Sequence, residues 1–251
     1  MQLALSTWQE VESYLERSTG IIIPIGSTEQ HGPNGLIGTD AICPTRIAAG
    51  IEQQTDVLVA PTINYGMAQH HMAFPGTVTL RPSTLISLVS DVITSLQQHG
   101  FRHFYFINGH GGNIPPVTTA FCEIYHATGN HDVHAPRCRL ANWWRNDHIT
   151  ALAAELYGEA EGHHATVSEV ALSYFAHPEA VKDVAMSPEI APNGEIYDAA
   201  DYRRKFPDGR IGSNPALATV ADGERFYQLA VEALSTDYKT FLLENCDEMA
   251  G

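Results

Sequence analysis

Two glycine-rich segments carry acidic and imidazole side chains at a spacing that suits a metal site. In the first, Glu29 and His31 are two residues apart, so an extended backbone projects both to the same side. Asp40 follows nine residues after His31, and in the second segment His110 lies between glycines that let backbone approach closely. Because carboxylates and imidazoles bind Zn²⁺ and Mn²⁺, these four residues are predicted metal ligands. The alternative is that the two acids cap turns and helices while His31 lies at the surface.

A third segment contains Glu161, His163, His164 and Glu169 and runs into a predicted helix. An acid in the first turn of a helix is commonly stabilised by the helix dipole, which is the simple interpretation of Glu169. The two adjacent histidines favour a functional interpretation instead. A histidine beside a metal site transfers protons at neutral pH because its pKa lies near the operating pH. We therefore expect a catalytic side chain from this segment.

Two further residue pairs have no spacing that decides their role. His70 and His71 lie in residues 65–77, where a Phe-Pro-Gly-Thr sequence favours a turn and therefore histidines that hold a loop. Trp143 and Trp144 follow a predicted strand, where they either wall an apolar substrate pocket or pack into the core. The roles of these four side chains stay open at this point.

The elements that must position these residues alternate along the chain. Short apolar runs predict strands at residues 21–25, 57–60, 104–107 and 137–143. Helical patterns begin near Ser6 and at Pro82, cover residues 117–125 and about 223–244, and include a helix that Asp40 would cap. Residues 178–222, rich in Pro, Gly, Asp and Asn, are predicted to form a long functional or oligomeric loop region. Strands alternating with helices predict a mainly parallel sheet within one domain, residues 1–251.

This arrangement predicts where the candidate ligands meet. In open parallel sheets, ligands bind beyond the carboxyl ends of the strands. Glu29 and His31 follow the first predicted strand, and His110 follows the third. Both clusters should therefore leave the same edge of the sheet.

The composition excludes some classes of partner. The chain has 14 Lys and Arg against 29 Asp and Glu, a net charge of −15, which argues against binding nucleic acid or an anionic membrane surface. Its first residues lack the basic region of a signal peptide, and no run reaches the roughly 18 apolar residues of a membrane span. The four cysteines form no Cys-x-x-Cys pair. We expect a reducing, cytoplasmic location.

Five stretches together resemble the creatininase family. They are Pro-Ile-Gly-Ser-Thr-Glu-Gln-His-Gly at 24–32 with Gly-Thr-Asp at 38–40, the 65–77 segment, Asn-Gly-His-Gly-Gly-Asn at 108–113, residues 164–169, and the Gly/Pro loop 208–219. The resemblance implies a three-layer α/β/α sandwich and a binuclear Zn²⁺ or Mn²⁺ site, and it implies hydrolysis of C–N bonds, often in a hexamer. It places Glu29, His31, Asp40 and His110 at ligand positions, with Asp40 as the bridging carboxylate, and His164 at the catalytic histidine position.

One departure from the family pattern concerns the residues after His110. Creatininase itself carries an aromatic residue and a ligand glutamate there, whereas this chain has Gly111 and Gly112. The missing carboxylate is most economically replaced by Glu169, which we predict as a metal ligand and as a catalytic residue alongside His164. The Gly-Gly form resembles relatives that act on formamides, peptides or other small amides.

The sequence therefore predicts a metal-dependent amidohydrolase that cleaves a small cyclic or linear amide and holds two divalent ions, Zn²⁺ or Mn²⁺, with Fe²⁺ also suited to these ligands. The first alternative is a metal-dependent epimerase or ring-opening hydrolase on the same fold. The second is a non-catalytic scaffold. A homo-oligomer is expected as the assembly.

Overall fold

The computed structural model describes residues 1–128 and 135–244. Within these ranges it contains four strands and eight α-helices. In chain order they are α1 (Trp8–Leu15), β1 (Gly20–Ile25), α2 (Thr39–Thr55), β2 (Leu58–Val59), α3 (Pro82–Gln98), β3 (His103–Asn108), α4 (Ile114–Thr128), β4 (Arg137–Asn142), α5 (Asp147–Tyr157), α6 (Val167–Ala176), α7 (Ala199–Lys205) and α8 (Val220–Leu242).

The four strands form one parallel sheet in the order β2-β1-β3-β4. β1 lies at the centre and is buried along its whole length, as expected for a run of Gly, Ile and Pro without polar residues. The chain moves from β1 to β2 on one side and then crosses back to β3 on the other. The direction of winding therefore reverses between β1 and β3, which is where parallel sheets bind their ligands.

Helices cover both faces of the sheet because successive strand residues point to opposite sides. On one face, Ile22 and Tyr105 share a buried cluster with α2, α5, α6 and α8, in which Phe226 is fully buried. On the other face, Ile21 and Phe104 pack with α1, α3 and α4. The predicted α/β/α sandwich with a mainly parallel sheet is confirmed.

Local sequence signals explain several helix boundaries. Thr7 caps α1 in a capping box with Glu10, one residue after the expected start. α3 begins with Pro82, whose missing N–H costs nothing in the first turn. The expectation that Asp40 caps α2 is wrong, because the N-cap is Gly38 and no side chain caps this helix. Asp40 lies in the first turn, which leaves its carboxylate free for other contacts.

The largest differences from the predicted elements lie in the second half of the chain. Helix α5 was not predicted from the sequence; Asn146 caps it by accepting the backbone N–H of His148. The expected loop region at residues 178–222 contains α7, whose Tyr202 is fully buried. A β-bridge between His164 and Ile211 attaches this loop region to the segment that contains Glu161 and Glu169. Among the described helices, none is long and apolar enough to cross a membrane.

Candidate metal centre

The loops that follow β1 and β3 lie side by side at the carboxyl edge of the sheet. The two strands pair in parallel register, with Ile25 opposite Asn108. Glu29 and His31 leave from the first loop and His110 from the second. The predicted convergence of these two clusters at one edge is therefore confirmed.

Two glycines allow the first turn of α2 to approach both strand ends. A Cβ at Gly26 would lie 2.2 Å from the backbone oxygen of Asp40, and one at Gly109 would lie 1.9 Å from the same oxygen. Any larger residue at either position would push α2 away from the sheet. The side chain of Asp40 thus enters the space between the two loops, where it is 3% exposed.

Asp40 lies between two imidazole rings. Its Oδ1 is 3.0 Å from Nε2 of His31, and its Oδ2 is 3.0 Å from Nδ1 of His110. Nε2 of His110 is in turn 3.2 Å from Oε2 of Glu29. All four residues are buried. The alternative of a surface His31 and of acids that merely cap local structure does not describe this arrangement.

Glu169 approaches the same group from α6. It occupies the third position of the helix in a capping box with Thr166, whose backbone N–H donates to its Oε1 at 2.6 Å. The same Oε1 lies 3.9 Å from Nε2 of His31. Glu169 is therefore both the ordinary first-turn acid and a neighbour of the candidate ligands.

Two triplets of possible ligands share Asp40. One consists of Glu29, Asp40 and His110, the other of His31, Asp40 and Glu169, and a third triplet without Asp40 consists of Glu29, His31 and His164. Within each triplet, the ligand atoms all lie within 4.8 Å of one another. This is the number and kind of side chains that two adjacent divalent ions need when one carboxylate bridges them.

The buried carboxylates of this centre favour positive charge on the groups between them. Burial alone would lower the pKa of His31, but the Asp40 carboxylate reverses that effect and raises it to about 10. Glu29 and Asp40 likewise overcome burial at His110 and raise its pKa to about 9. Burial raises the pKa of Glu169 to about 7, although His31 opposes the shift. The protons held by His31 and His110 balance the negative charge of the carboxylates, and divalent cations would do the same.

One buried oxygen supports a cation rather than a fixed hydrogen-bond network. Oδ2 of Asp40 makes no hydrogen bond with any described residue, and its contact with His110 lacks the alignment of a hydrogen bond. A buried acceptor without a donor is costly, whereas the same lone pair is a suitable metal ligand. The residues present therefore fit a divalent ion at this position.

His71 belongs to this centre, although the sequence favoured a role in holding its loop. It is 2% exposed, and its Nε2 lies 3.0 Å from Oε1 of Glu29. The contact spans more than 40 residues along the chain, so spacing could not reveal it. Only the pair of adjacent histidines in residues 65–77 was a signal. His70 is partly buried beside it, and burial lowers its pKa.

His164 packs its ring between two other imidazoles. Its centroid is 4.9 Å from that of His31 and 4.4 Å from that of His71. Burial and these neighbouring rings hold the pKa of His164 well below its usual range. The next residue, Ala165, has a φ of 51°, a left-handed conformation that orients the turn leading into α6.

Glu161 and His163 lie outside the two triplets. The backbone N–H of Ser168 donates to Oε2 of Glu161 at 3.1 Å, so this acid supports the start of α6. His163 is exposed. Asn108 and Asn113 hold the backbone of the neighbouring loops. Nδ2 of Asn113 donates to the Gly26 oxygen at 2.9 Å, and Nδ2 of Asn108 donates to the His110 oxygen at 2.7 Å.

A cavity of 610 Å³ opens onto the centre. Glu29, Asp40, His110, His164 and Glu169 are among the residues that line it. Trp143 and Trp144 form part of its wall, in an edge-to-face pair with centroids 6.4 Å apart. Trp143 also belongs to the buried core, so both interpretations of this pair hold.

Sequence comparison identifies the family. Residues 4–237 match the profile of the Creatininase family, described as creatinine amidohydrolase. The chain belongs to the creatininase family. It is thus a creatininase-family hydrolase, and the resemblance drawn from the five sequence stretches is confirmed.

Named relatives in this family differ in what they act on. Creatinine amidohydrolase of Pseudomonas putida is 26% identical over 246 residues, which cover 91% of this chain and 92% of that protein. The mycofactocin precursor peptide peptidase of Mycolicibacterium smegmatis is 25% identical over 90% of this chain and 85% of its own length. The 3-dehydro-scyllo-inosose hydrolase of Thermotoga maritima is 37% identical over 47% of this chain, a segment that spans only 39% of that protein.

Solved creatininase structures have the same fold. A manganese form of creatininase superposes with a TM-score of 0.81 at 24% identity, over 96% of this chain and 98% of that one. A protein from Bacteroides fragilis described as a putative creatinine amidohydrolase gives a TM-score of 0.75 at 24% identity, over 99% and 98% of the two chains.

The structure gives a steric reason for the departure at Gly111 and Gly112. A Cβ at Gly112 would lie 2.4 Å from Nε2 of His110 and 2.4 Å from the Met67 oxygen, so a side chain there would displace His110. A Cβ at Gly111 would meet nothing within 4 Å. This creatininase-family chain therefore has no room for an acid at position 112, whereas Glu169 already lies beside His31.

Proposed function

We propose that this protein is a metal-dependent amidohydrolase that cleaves a C–N bond of a small cyclic or linear amide. The observation that carries the proposal is the position of Asp40, whose two oxygens each lie 3.0 Å from a different buried imidazole. A carboxylate in that position serves two ions at once. The Pseudomonas relative named creatinine amidohydrolase and the mycobacterial relative named a peptide peptidase support the choice of a C–N bond.

The two triplets assign the residues that would hold the ions. Glu29, Asp40 and His110 would hold one ion, and His31, Asp40 and Glu169 the other. Manganese and zinc-zinc forms are known for creatininases of the same fold, which supports Zn²⁺ or Mn²⁺ here, with Fe²⁺ compatible with the same mixed ligands. When bound, the ions would polarise the substrate carbonyl and favour deprotonation of water at neutral pH.

The remaining steps belong to side chains and backbone of the chain itself. His164 lines the cavity and is the proposed proton carrier. Its neutral ring would take the proton released by the attacking water and deliver it to the leaving nitrogen. Glu169, whose Oε1 lies 3.9 Å from Nε2 of His31, would assist as an acid or base. In the turn at residues 109–112, the N–H groups of Gly109 and His110 already donate to the Ile25 oxygen and to Oδ1 of Asn108. Those of Gly111 and Gly112 would donate to the oxygen that gains charge as the carbonyl is attacked.

The outer part of the cavity supports an amide other than creatinine. Gly111 lines the cavity and leaves open space where a side chain would otherwise project. A substituent of the substrate would have room in that space. Linear amides and short peptides are therefore placed ahead of creatinine in the proposed substrate class.

A ring-opening hydrolase is the second candidate. The observation that favours it is the 37% identity to the Thermotoga protein named 3-dehydro-scyllo-inosose hydrolase. The epimerase and scaffold alternatives draw no support from these relatives, which are named as hydrolases and a peptidase. A homo-oligomer, with a hexamer implied by family resemblance, and a cytoplasmic location stay predictions.

Metal analysis combined with a substrate panel tests the proposal. Protein purified without chelator should contain about two divalent ions per chain and should hydrolyse at least one of creatinine, N-substituted formamides or short peptides. Asp40→Asn serves as the control for catalysis by a contaminant. A metal-supplemented sample with no ion above background would overturn the metal site. Bound metal with turnover of 3-dehydro-scyllo-inosose alone would favour the second candidate.

A further inference from the structure

Arg145 lies in the wall of the cavity and has no role in the candidate metal centre. It lines the 610 Å³ cavity together with Asp40, His110 and Glu169, and no other Lys or Arg among the described residues does so. Arginine stays charged at physiological pH, so a fixed positive charge borders the same space as the candidate ligands. Pockets of about 300–1,000 Å³ hold drug-sized ligands, which leaves room for a substrate that reaches both.

The turn after β4 places Arg145 at the carboxyl edge of the sheet. β4 pairs with β3 so that Asn142 lies opposite Asn108, where the loop that carries His110 begins. The Arg145 N–H donates to the Asn142 oxygen at 2.9 Å, and the Trp143 N–H donates to the Asn108 oxygen at 3.4 Å. The backbone of the turn is thus held against the end of β3, while the side chain of Arg145 is exposed.

The guanidinium group of Arg145 forms neither an ion pair nor a hydrogen bond with any residue in the described parts of the chain. By contrast, Arg139 pairs with Asp237 at 2.7 Å and Arg210 pairs with Asp208 at 2.8 Å. Acidic residues outnumber basic ones by 29 to 14 in the sequence, so partners are plentiful. The five N–H donors of the Arg145 side chain are therefore available to a ligand.

The charges that line the cavity favour an anionic ligand. Four carboxylates line it, those of Glu29, Asp40, Glu161 and Glu169. Two divalent ions would carry as much positive charge as these four carboxylates carry negative charge. The charge of Arg145 would then have no counterpart within the lining. A neutral substrate would leave it uncompensated, whereas an anionic substrate would balance it.

We propose that Arg145 binds an oxyanion of the substrate and so selects amides that carry a carboxylate or a phosphate away from the bond that is cleaved. Arginine pairs with either group through two parallel N–H···O bonds. Because the Arg145 side chain is exposed, the anion would lie where the cavity opens to solvent, away from the buried Asp40. N-Acyl amino acids, peptides with a free carboxyl end and phosphorylated amides belong to this class, whereas creatinine does not. The inference deepens the proposed amidohydrolase function and rests on it.

Hydroxamate probes test the oxyanion site without turnover, because a hydroxamate chelates divalent ions and its tail can be varied. Isothermal titration of Zn²⁺-supplemented protein would compare malonic, succinic and glutaric monohydroxamates with neutral hydroxamates in which a primary amide replaces the carboxylate. A third series carries a phosphonate in place of the carboxylate. At one tail length or more, the anionic probe should bind about 10-fold more tightly than its neutral counterpart.

Three variants separate the guanidinium group from the overall charge of the protein. Arg145→Gln should abolish the preference for the anionic probe. Arg145→Lys should keep part of it, since an ammonium group retains the charge but not the two parallel bonds. Arg17→Gln is the matched control and should keep the whole preference, because Arg17 pairs with Asp56 at 3.1 Å and does not line the cavity. Raising the ionic strength should reduce the preference in the wild type.

The outcomes separate the oxyanion site from the proposed hydrolysis. Equal affinity for anionic and neutral probes at every tail length would overturn the site, as would a preference that survives Arg145→Gln or is lost equally in Arg17→Gln. A preference confined to the carboxylate or to the phosphonate series would support the site and identify the oxyanion. No binding by any probe would overturn the site together with the metal centre. A preference that depends on Arg145, without hydrolysis of any amide in the panel, would support the site while counting against the amidohydrolase.

Discussion

Glu169 combines two roles in the structure, and replacing it by glutamine separates them. Its Oε1 accepts the Thr166 N–H at 2.6 Å as part of a capping box, and the same atom is 3.9 Å from Nε2 of His31. Glutamine preserves the capping box, because either residue serves at that position. It removes the negative charge that the second ion needs.

The ligand role and the capping role predict different effects on metal affinity and on the free energy of unfolding. Glu169→Gln should reduce the bound metal from about two ions to about one per chain, with affinity for the lost ion lowered by more than about 100-fold, or about 2.7 kcal/mol. Stability of the metal-free protein should change little. Glu169→Ala should lose the same ion and also about 1 kcal/mol of the free energy of unfolding, since it removes one of the two hydrogen bonds of the capping box.

A second capping box in the same chain supplies the control. Glu10 accepts the backbone N–H of Thr7 at 2.7 Å at the start of α1, away from the metal centre. Glu10→Ala should lower stability without changing metal content. Metal content by mass spectrometry and unfolding in urea measure both effects. Two ions retained by Glu169→Gln would refute the assignment of Glu169 as a ligand.

Two further predictions concern the shared carboxylate and the charged histidines. Asp40→Ala should remove both ions and nearly all activity. His70→Ala should keep the metal, because His70 belongs to neither triplet that contains Asp40. Equal metal loss in the two variants would contradict the ligand assignment. The metal-free protein should lose stability as pH rises from 6.5 to about 10. Folding raises the pKa of His31 to about 10 and that of His110 to about 9, so the folded state binds more protons than the unfolded state in this range and its advantage is lost as they dissociate. Melting temperatures with and without Zn²⁺ check this, and a flat metal-free profile would count against it.

The sequence by itself determined the edge of the sheet at which the chemistry lies. Apolar runs of strand length predict buried strands, and residues that directly follow parallel strands must meet at one edge. Glu29, His31 and His110 were therefore predictable as neighbours. The same local information predicted the parallel sheet, and the family resemblance implied the layers of helices around it.

The tertiary structure alone decided how the group is completed. Three contacts join segments that are far apart in the chain. They are those of His71 with Glu29, of Glu169 with His31, and of the Gln30 amide with His164. Periodicity reports which face of an element is buried, but it carries no information about which loop closes over which. Asp40 shows the same limit, since the sequence predicted it both as a metal ligand and as a helix cap and could not choose between the two.

The physical reason is the distance over which each signal acts. Capping, turn chemistry and strand patterning are set within a few residues, so they can be read from the sequence. The centre depends instead on close backbone approach, as at Gly26 and Gly109 against the first turn of α2. That approach exists only once both faces of the sheet are packed, and it decides that the Asp40 side chain lies between two imidazoles and does not cap α2.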